Sequence, residues 1–192
     1  MKAEDVLKDA LRRHQDVVLK TDTILEHAAR GADMLASALK EGKKVLACGN
    51  GGSAADAEHF VGELLCRYKD DRRALPGISL LFPVGALTAI ANDYSFDDVF
   101  ARQVDALGAT GDILVALTTS GRSKNVLAAL GAARKKGLVT IVLTGAKGGT
   151  LADAADLVVA VPSEETARIQ EMHELIYHGW CEYLDTLPGI RK

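Results

Sequence analysis

The chain has 192 residues, 48% of them hydrophobic and 26% charged, enough for one α/β domain with a helical extension and a full core. A net charge of −3 without a basic tract argues against nucleic acid as a primary ligand, and no apolar run approaches the roughly 18 residues of a membrane span. Three cysteines without CxxC spacing, and a polar, acidic start unlike a secretory signal, predict a reduced cytoplasmic protein.

Residues 1–40 read as helix, with apolar positions at Leu7, Leu11, Val18, Ile24, Leu25, Met34, Leu35 and Leu39, and with Gly31 as the expected break. That is more apolar surface than one small sheet covers. The expectation is a homo-oligomer in which these helices pack against their copies, the alternative being that they fold back on their own domain. Residues 41–192 form the α/β core of a single domain spanning 1–192. Strands are expected at Lys44–Cys48, Ile78–Phe82, Asp112–Leu117, Leu138–Thr144 and Leu157–Val161. Most are continuous Val/Ile/Leu/Ala runs, as strands covered on both faces of a parallel sheet are. Helices are expected at Ala54–Tyr68, Val84–Ala91, Phe96–Leu107 and Ser123–Lys136, with a long last helix from Ser163 to Leu187. Alternation of strand and helix predicts a doubly wound five-stranded parallel sheet, flavodoxin-like in order 2-1-3-4-5.

Two turns stand out. Cys48-Gly49-Asn50-Gly51-Gly52-Ser53 follows the first strand, and Thr118-Thr119-Ser120-Gly121-Arg122-Ser123 follows the third. Each leads into a helix N-terminus, where free N–H groups and hydroxyls suit an anion. In the 2-1-3-4-5 order both open at the switch point between strands one and three, so a phosphate-bearing ligand is expected there. Neither turn is GxGxxG, and no P-loop lysine follows, which disfavours dinucleotides and nucleoside triphosphates. Gly51 and Gly52 permit close backbone approach to a ligand.

His59 and Glu63 are four apart on the helix after the first turn and share a face. Such a pair binds a divalent ion, serves as an acid/base couple, or is simply solvated. The last helix supplies Gln170, His173 and His178. Gln170 and His178 lie about 12 Å apart along an ideal helix and about 80° apart around it, so a shared ion would require the glutamine to reach and the imidazole to lean. His173 lies off the His178 face and reads as structural or solvent-exposed. Asn92-Asp93 reads either as a turn and cap or as contacts to ligand hydroxyls.

Together these turns, with Asn92-Asp93, Leu143-Thr144-Gly145 and Arg168-Ile169-Gln170-Glu171-Met172-His173, resemble the sugar isomerase domain family over nearly the whole chain. The resemblance is narrower still to its branch acting on a seven-carbon ketose phosphate. It implies conversion of sedoheptulose 7-phosphate to D-glycero-D-manno-heptose 7-phosphate through an enediol, a step toward heptose precursors of surface glycans. It implies a homotetramer with one zinc per subunit, held by His59, Glu63, Gln170 and His178. Substrate contacts fall on Asn50, Gly51, Gly52, Ser53, Glu63, Asn92, Asp93, Thr118, Thr119, Ser120, Ser123 and Gln170, with Glu63 and His178 catalytic. Relatives often begin the second turn with Ser where this chain has Thr118, which keeps the hydroxyl. The alternatives are a non-catalytic sugar-phosphate-binding regulator or adaptor, and an isomerase of another phosphosugar.

Overall fold

The computed structural model describes residues 2–191 and, at 149 and 150, the backbone alone. The N-terminal region forms α1 (Ala3–Val18) and α2 (Leu25–Lys40). The chain breaks at 19–24 and not at Gly31. In that break the Thr21 and Thr23 hydroxyls donate to the carbonyls of Val18 (2.6 Å) and Lys20 (2.9 Å), side-chain bonds that compete with the helical ladder. Gly31 lies inside α2, where a Cβ would stand 2.8 Å from Trp180 Cζ2. Its small size lets two helices approach; it does not end one.

The core then runs β1 (Val45–Cys48), α3 (Gly52–Leu65), β2 (Gly77–Ser79), α4 (Val84–Asp93), α5 (Ala101–Leu107), β3 (Ile113–Thr118), α6 (Lys124–Lys135), β4 (Val139–Gly145), β5 (Leu157–Val161) and α7 (Thr166–Thr186). The sheet order is β2-β1-β3-β4-β5 with every neighbouring pair parallel, as the apolar runs predict. Two expected elements differ. The helix expected over Phe96–Leu107 is divided, because the Ser95 hydroxyl accepts the Asp97 N–H (2.9 Å) and caps a short 3-10 turn before α5 begins. The edge strand β2 is only three residues long.

Side chains alternate across the sheet. Val45, Ala47, Ile113, Val115, Ile141 and Leu143 pack under α2, α3 and α7. Leu46, Leu114, Ala116 and Val142 pack under α5 and α6. Cys48, at the end of β1, is buried with that second group, and burial pushes its thiol up to about 12, which leaves it packing rather than nucleophilic.

The two N-terminal helices differ in burial, and α1 is tied to the α7 side of its own chain by Arg13–Glu165 and His14–Glu171. In α2, Leu35, Ala36 and Leu39 are buried in the core of their own chain. In α1 only Val17 is buried, while Leu7 and Leu11 are 70% and 57% exposed.

His173 is fully buried on α7, its Nε2 3.3 Å from the Thr144 carbonyl oxygen. Burial pushes its pKa down to about 4, only partly offset by that contact. The folded state therefore binds this proton less well than the unfolded chain. Stability is complete above pH 6.5 and falls by about 3 kcal/mol as pH drops from 6.5 to about 4. A His173→Leu variant should lack that slope in denaturant titrations between pH 7 and 4; a slope unchanged by the substitution would remove His173 as its source.

Candidate active site

The turns after β1 and β3 meet. Asn50 and Asn125 bond reciprocally, Asn50 Nδ2 donating to Asn125 Oδ1 (2.9 Å) and Asn125 Nδ2 to Asn50 Oδ1 (2.8 Å). This double amide bond fastens the first turn to the start of α6. Gly51 makes the turn possible with φ +58° and ψ −122°, a backbone state that L side chains rarely adopt. Between the turns lies a cavity of about 300 Å³ walled by Asn50, Gly51, Gly52 and Ser53 on one side and Thr118, Thr119 and Ser123 on the other, with Thr166 and Gln170 from α7. Inside the second turn the Gly121 N–H donates to Thr118 Oγ1 (3.3 Å), and Ser123 Oγ stands 3.4 Å from the same oxygen. The N-termini of α3 and α6 both open here, so the cavity combines hydroxyls, free N–H groups and two positive dipole ends.

Ser120 belongs to an adjoining cavity of about 250 Å³ with Arg122, Lys147 and Glu164, which shares Thr119 and Thr166 with the first. Asn92 and Asp93 do not line either cavity. They end α4, exposed, with Asn92 Nδ2 donating to Asp93 Oδ1 (2.8 Å).

The second half of the site runs along the α3–α7 seam. Gly52 lets Gln170 lie against α3: a Cβ there would stand 2.4 Å from Gln170 Nε2. Further along, His59 Nε2 is 3.2 Å from Glu63 Oε1, and His59 Nδ1 is 2.9 Å from the Tyr177 hydroxyl and 3.6 Å from Glu174 Oε1. The His59 and His178 rings meet edge-to-face at 5.0 Å, and Tyr68 stacks on His178 at 5.0 Å. One ligand atom from each of His59, Glu174 and His178 lies within 4.8 Å of the others. His178 Nε2 and Asp56 Oδ2 are buried without a partner. Burial, then the nearby Glu174 charge, push the Asp56 carboxyl up to about 6.

Of the four residues that the resemblance assigns to a metal, His59, Glu63 and His178 are gathered here. Gln170 lies two turns up α7, at the cavity between the two turns. A pair of imidazoles with carboxylates is the donor set of a zinc ion, and an orphaned imidazole nitrogen at its centre fits one. The sequence reading missed Glu174, Tyr177, Tyr68, Asp56 and Asn125. Glu174 was within reach of it, being one turn before His178 on the same helix face. The others depend on which elements become neighbours.

The SIS domain family matches residues 8–145. A phosphoheptose isomerase of Campylobacter concisus is 49% identical over 180 residues, covering 94% of this chain and 95% of that protein. The solved structure of a phosphoheptose isomerase from Francisella tularensis superposes with a TM-score of 0.93 at 38% identity, covering 97% of this chain and all of the other. That of the phosphoheptose isomerase from Neisseria gonorrhoeae gives 0.89, also at 38% identity, with the same coverage of both chains.

Proposed function

Because the chain belongs to the SIS domain family and, within it, to the phosphoheptose isomerases, which are aldose–ketose isomerases, we propose that it converts D-sedoheptulose 7-phosphate to D-glycero-D-manno-heptose 7-phosphate. The product would feed ADP- or GDP-heptose precursors of surface glycans in the cytoplasm. The observation that carries this reading is the continuity of the site. One hydroxyl-lined cavity leads, by way of Gln170, along the α3–α7 seam to a paired imidazole–carboxylate cluster.

The phosphate sits between the two turns, held by Ser53, Thr118, Thr119, Ser120 and Ser123 with the N–H groups of Gly51 and Gly52. Anchoring that end positions C1 and C2 near Glu63 and His178. Asn50 and Gln170 take sugar hydroxyls, whereas Asn92 and Asp93, exposed at the end of α4, line neither cavity of this chain. Glu63 removes a proton from C1 while His178 protonates the C2 oxygen, giving the enediol. His178 then takes the proton of the C1 hydroxyl, and Glu63 returns its own proton to C2, so no net proton is gained or lost. Zinc, one per subunit, would be held by His59, Glu63 and His178, with the Glu174 carboxylate beside them; Gln170, the fourth ligand that the resemblance implies, lies two turns up α7 at the phosphate cavity. When bound it supplies Lewis-acid polarisation of the sugar carbonyl.

Two surfaces support a homotetramer. The Leu7 and Leu11 stripe of α1 is exposed, and an apolar groove of about 380 Å³ lies between α2 and α7, walled by Leu25, Ala28, Leu175 and Trp180. Light scattering that finds a monomer at micromolar concentration removes this assignment.

The deciding experiment is a panel of five-, six- and seven-carbon ketose phosphates assayed before and after chelation. Turnover of the heptulose phosphate above the others, lost with the metal and restored by zinc, is expected. Preference for a shorter sugar would replace the substrate, and no turnover of any would end the isomerase reading. Gly52→Ala tests the cavity. Its methyl group displaces only the tip of a flexible glutamine, so the fold should hold while KM rises about tenfold, the equivalent of ~1.4 kcal/mol. An unchanged KM would place Gln170 outside the binding site.

A further inference from the structure

Among the residues that the family resemblance does not single out, Tyr177 makes the closest approach to the imidazole pair. It is buried at 1% exposure, and its ring stands edge-on to both His59 (centroids 5.5 Å apart) and His178 (5.0 Å). A ring gripped on two sides has little freedom, and its hydroxyl meets His59 Nδ1 at 2.9 Å. We infer that Tyr177 is a positioning residue that determines which nitrogen of His59 carries the proton, reserving Nε2 for the side of the ring that Glu63 occupies. This rests on the isomerase reading only for what His59 and Glu63 are held in place to do.

The argument is one of hydrogen counting. A neutral imidazole has one N–H. Each nitrogen has a carboxylate acceptor beside it, Glu63 3.2 Å from Nε2 and Glu174 3.6 Å from Nδ1, but the Tyr177 phenol stands nearer to Nδ1, at 2.9 Å, and by donating there leaves the hydrogen on Nε2. Nδ1 is then an acceptor, and the phenol of Tyr177 donates to it. A phenol carries its hydrogen at neutral pH, so it is able to donate. A cation on Nε2 reverses the polarity. Nε2 gives up its hydrogen, Nδ1 acquires one and donates it to the phenol oxygen. The phenol hydrogen then turns toward Glu174, whose Oε1 is 3.6 Å from Nδ1. Both states satisfy the ring without moving a heavy atom of His59 or Tyr177. An orienting partner of this kind on the far nitrogen is what fixes a metal-binding histidine. Phenylalanine at 177 would remove the phenol and leave Nδ1 facing Glu174 at 3.6 Å, so that the carboxylates on the two sides of the ring compete for its hydrogen.

The test uses the full chain labelled with 15N-histidine, with His59→Gln to assign the His59 signals. In the zinc-free wild type, His59 should show the Nε2–H tautomer; in Tyr177→Phe the two tautomers should mix. Competition against a chelating indicator should show zinc binding 10–100-fold weaker in Tyr177→Phe, with a melting temperature within a few degrees of wild type. Glu174→Gln should leave the zinc-free tautomer unchanged and weaken zinc binding by a smaller factor. A wild-type tautomer in Tyr177→Phe would overturn the inference, as would unchanged or tighter zinc binding, which would place the metal on Nδ1. If the wild type binds no zinc, the cofactor assignment falls while the tautomer measurement still decides the role of Tyr177. Wild-type turnover, assayed separately, tests the isomerase reading itself.

Discussion

Glu63→Gln is expected to lower kcat by about 10²–10⁴-fold, the usual contribution of a positioned acid–base group, with KM for the sugar phosphate changed little. The amide has the shape of the carboxylate and cannot carry the proton between C1 and C2. The cavity proposed for the phosphate opens two to three helical turns away along α3, so ground-state binding should survive. A carboxylate on zinc is a weaker base than a free one, and the amide is a weaker zinc ligand, so kcat should be measured with zinc saturating and metal content determined in parallel. Reduced turnover at full zinc occupancy assigns Glu63 to proton transfer. Reduced turnover that recovers as zinc is raised assigns it to metal binding. Wild-type turnover at ordinary zinc removes it from the mechanism.

The second large effect concerns the scaffold behind that residue. Arg72 and Asp185 form an ion pair with side chains 0% and 2% exposed, Nε to Oδ1 2.7 Å. Arg72 also donates to the carbonyls of Glu63 (2.5 Å), Leu64 (2.9 Å) and Arg73 (3.0 Å), while Asp185 Oδ2 accepts the N–H groups of Lys69 (2.7 Å) and Asp70 (3.0 Å). One charge pair therefore satisfies the end of α3 and ties it, with the following loop, to α7. Arg72→Met leaves a buried carboxylate without its counter-charge and frees those carbonyls. The expected loss is about 3–5 kcal/mol, or roughly 6–20 °C in Tm for a chain of this size. The exposed Lys69–Glu182 pair is the control. At more than half exposure for each side chain its removal should cost well under ~1 kcal/mol. A loss in Arg72→Met no larger than in the control would show that the buried pair contributes nothing beyond a surface one. Because the guanidinium holds the last turn of α3, kcat should also fall in Arg72→Met under conditions where it stays folded.

The outline of the sheet was readable because each core strand is covered on both faces, and two-sided burial writes itself into the chain as unbroken Val, Ile, Leu and Ala. Once strand count and order are known, the meeting of the two turns follows from topology. The His59–Glu63 pair was readable for a similar reason: residues four apart on a helix share a face whatever lies opposite. The break before α2 was misplaced at Gly31, since a glycine within a helix looks the same in sequence whether it ends the helix or admits the ring of Trp180. Asn125 gave no signal at all, because an amide near a helix start gains meaning only when another amide arrives from 75 residues away.

The amino-acid order by itself therefore determined the elements, the strand order, and the two turns with their hydroxyls and glycines, all products of local periodicity and backbone sterics. Only the tertiary structure decided what faces His59 across the seam: Tyr177 and Glu174 on one nitrogen, Glu63 on the other, and the ring of His178 at its edge. The reason is physical. Helical spacing specifies which side chains share one helix face, whereas the pairing of two faces depends on the axial offset and rotation at which α3 and α7 pack, and those are set by the whole core beneath them.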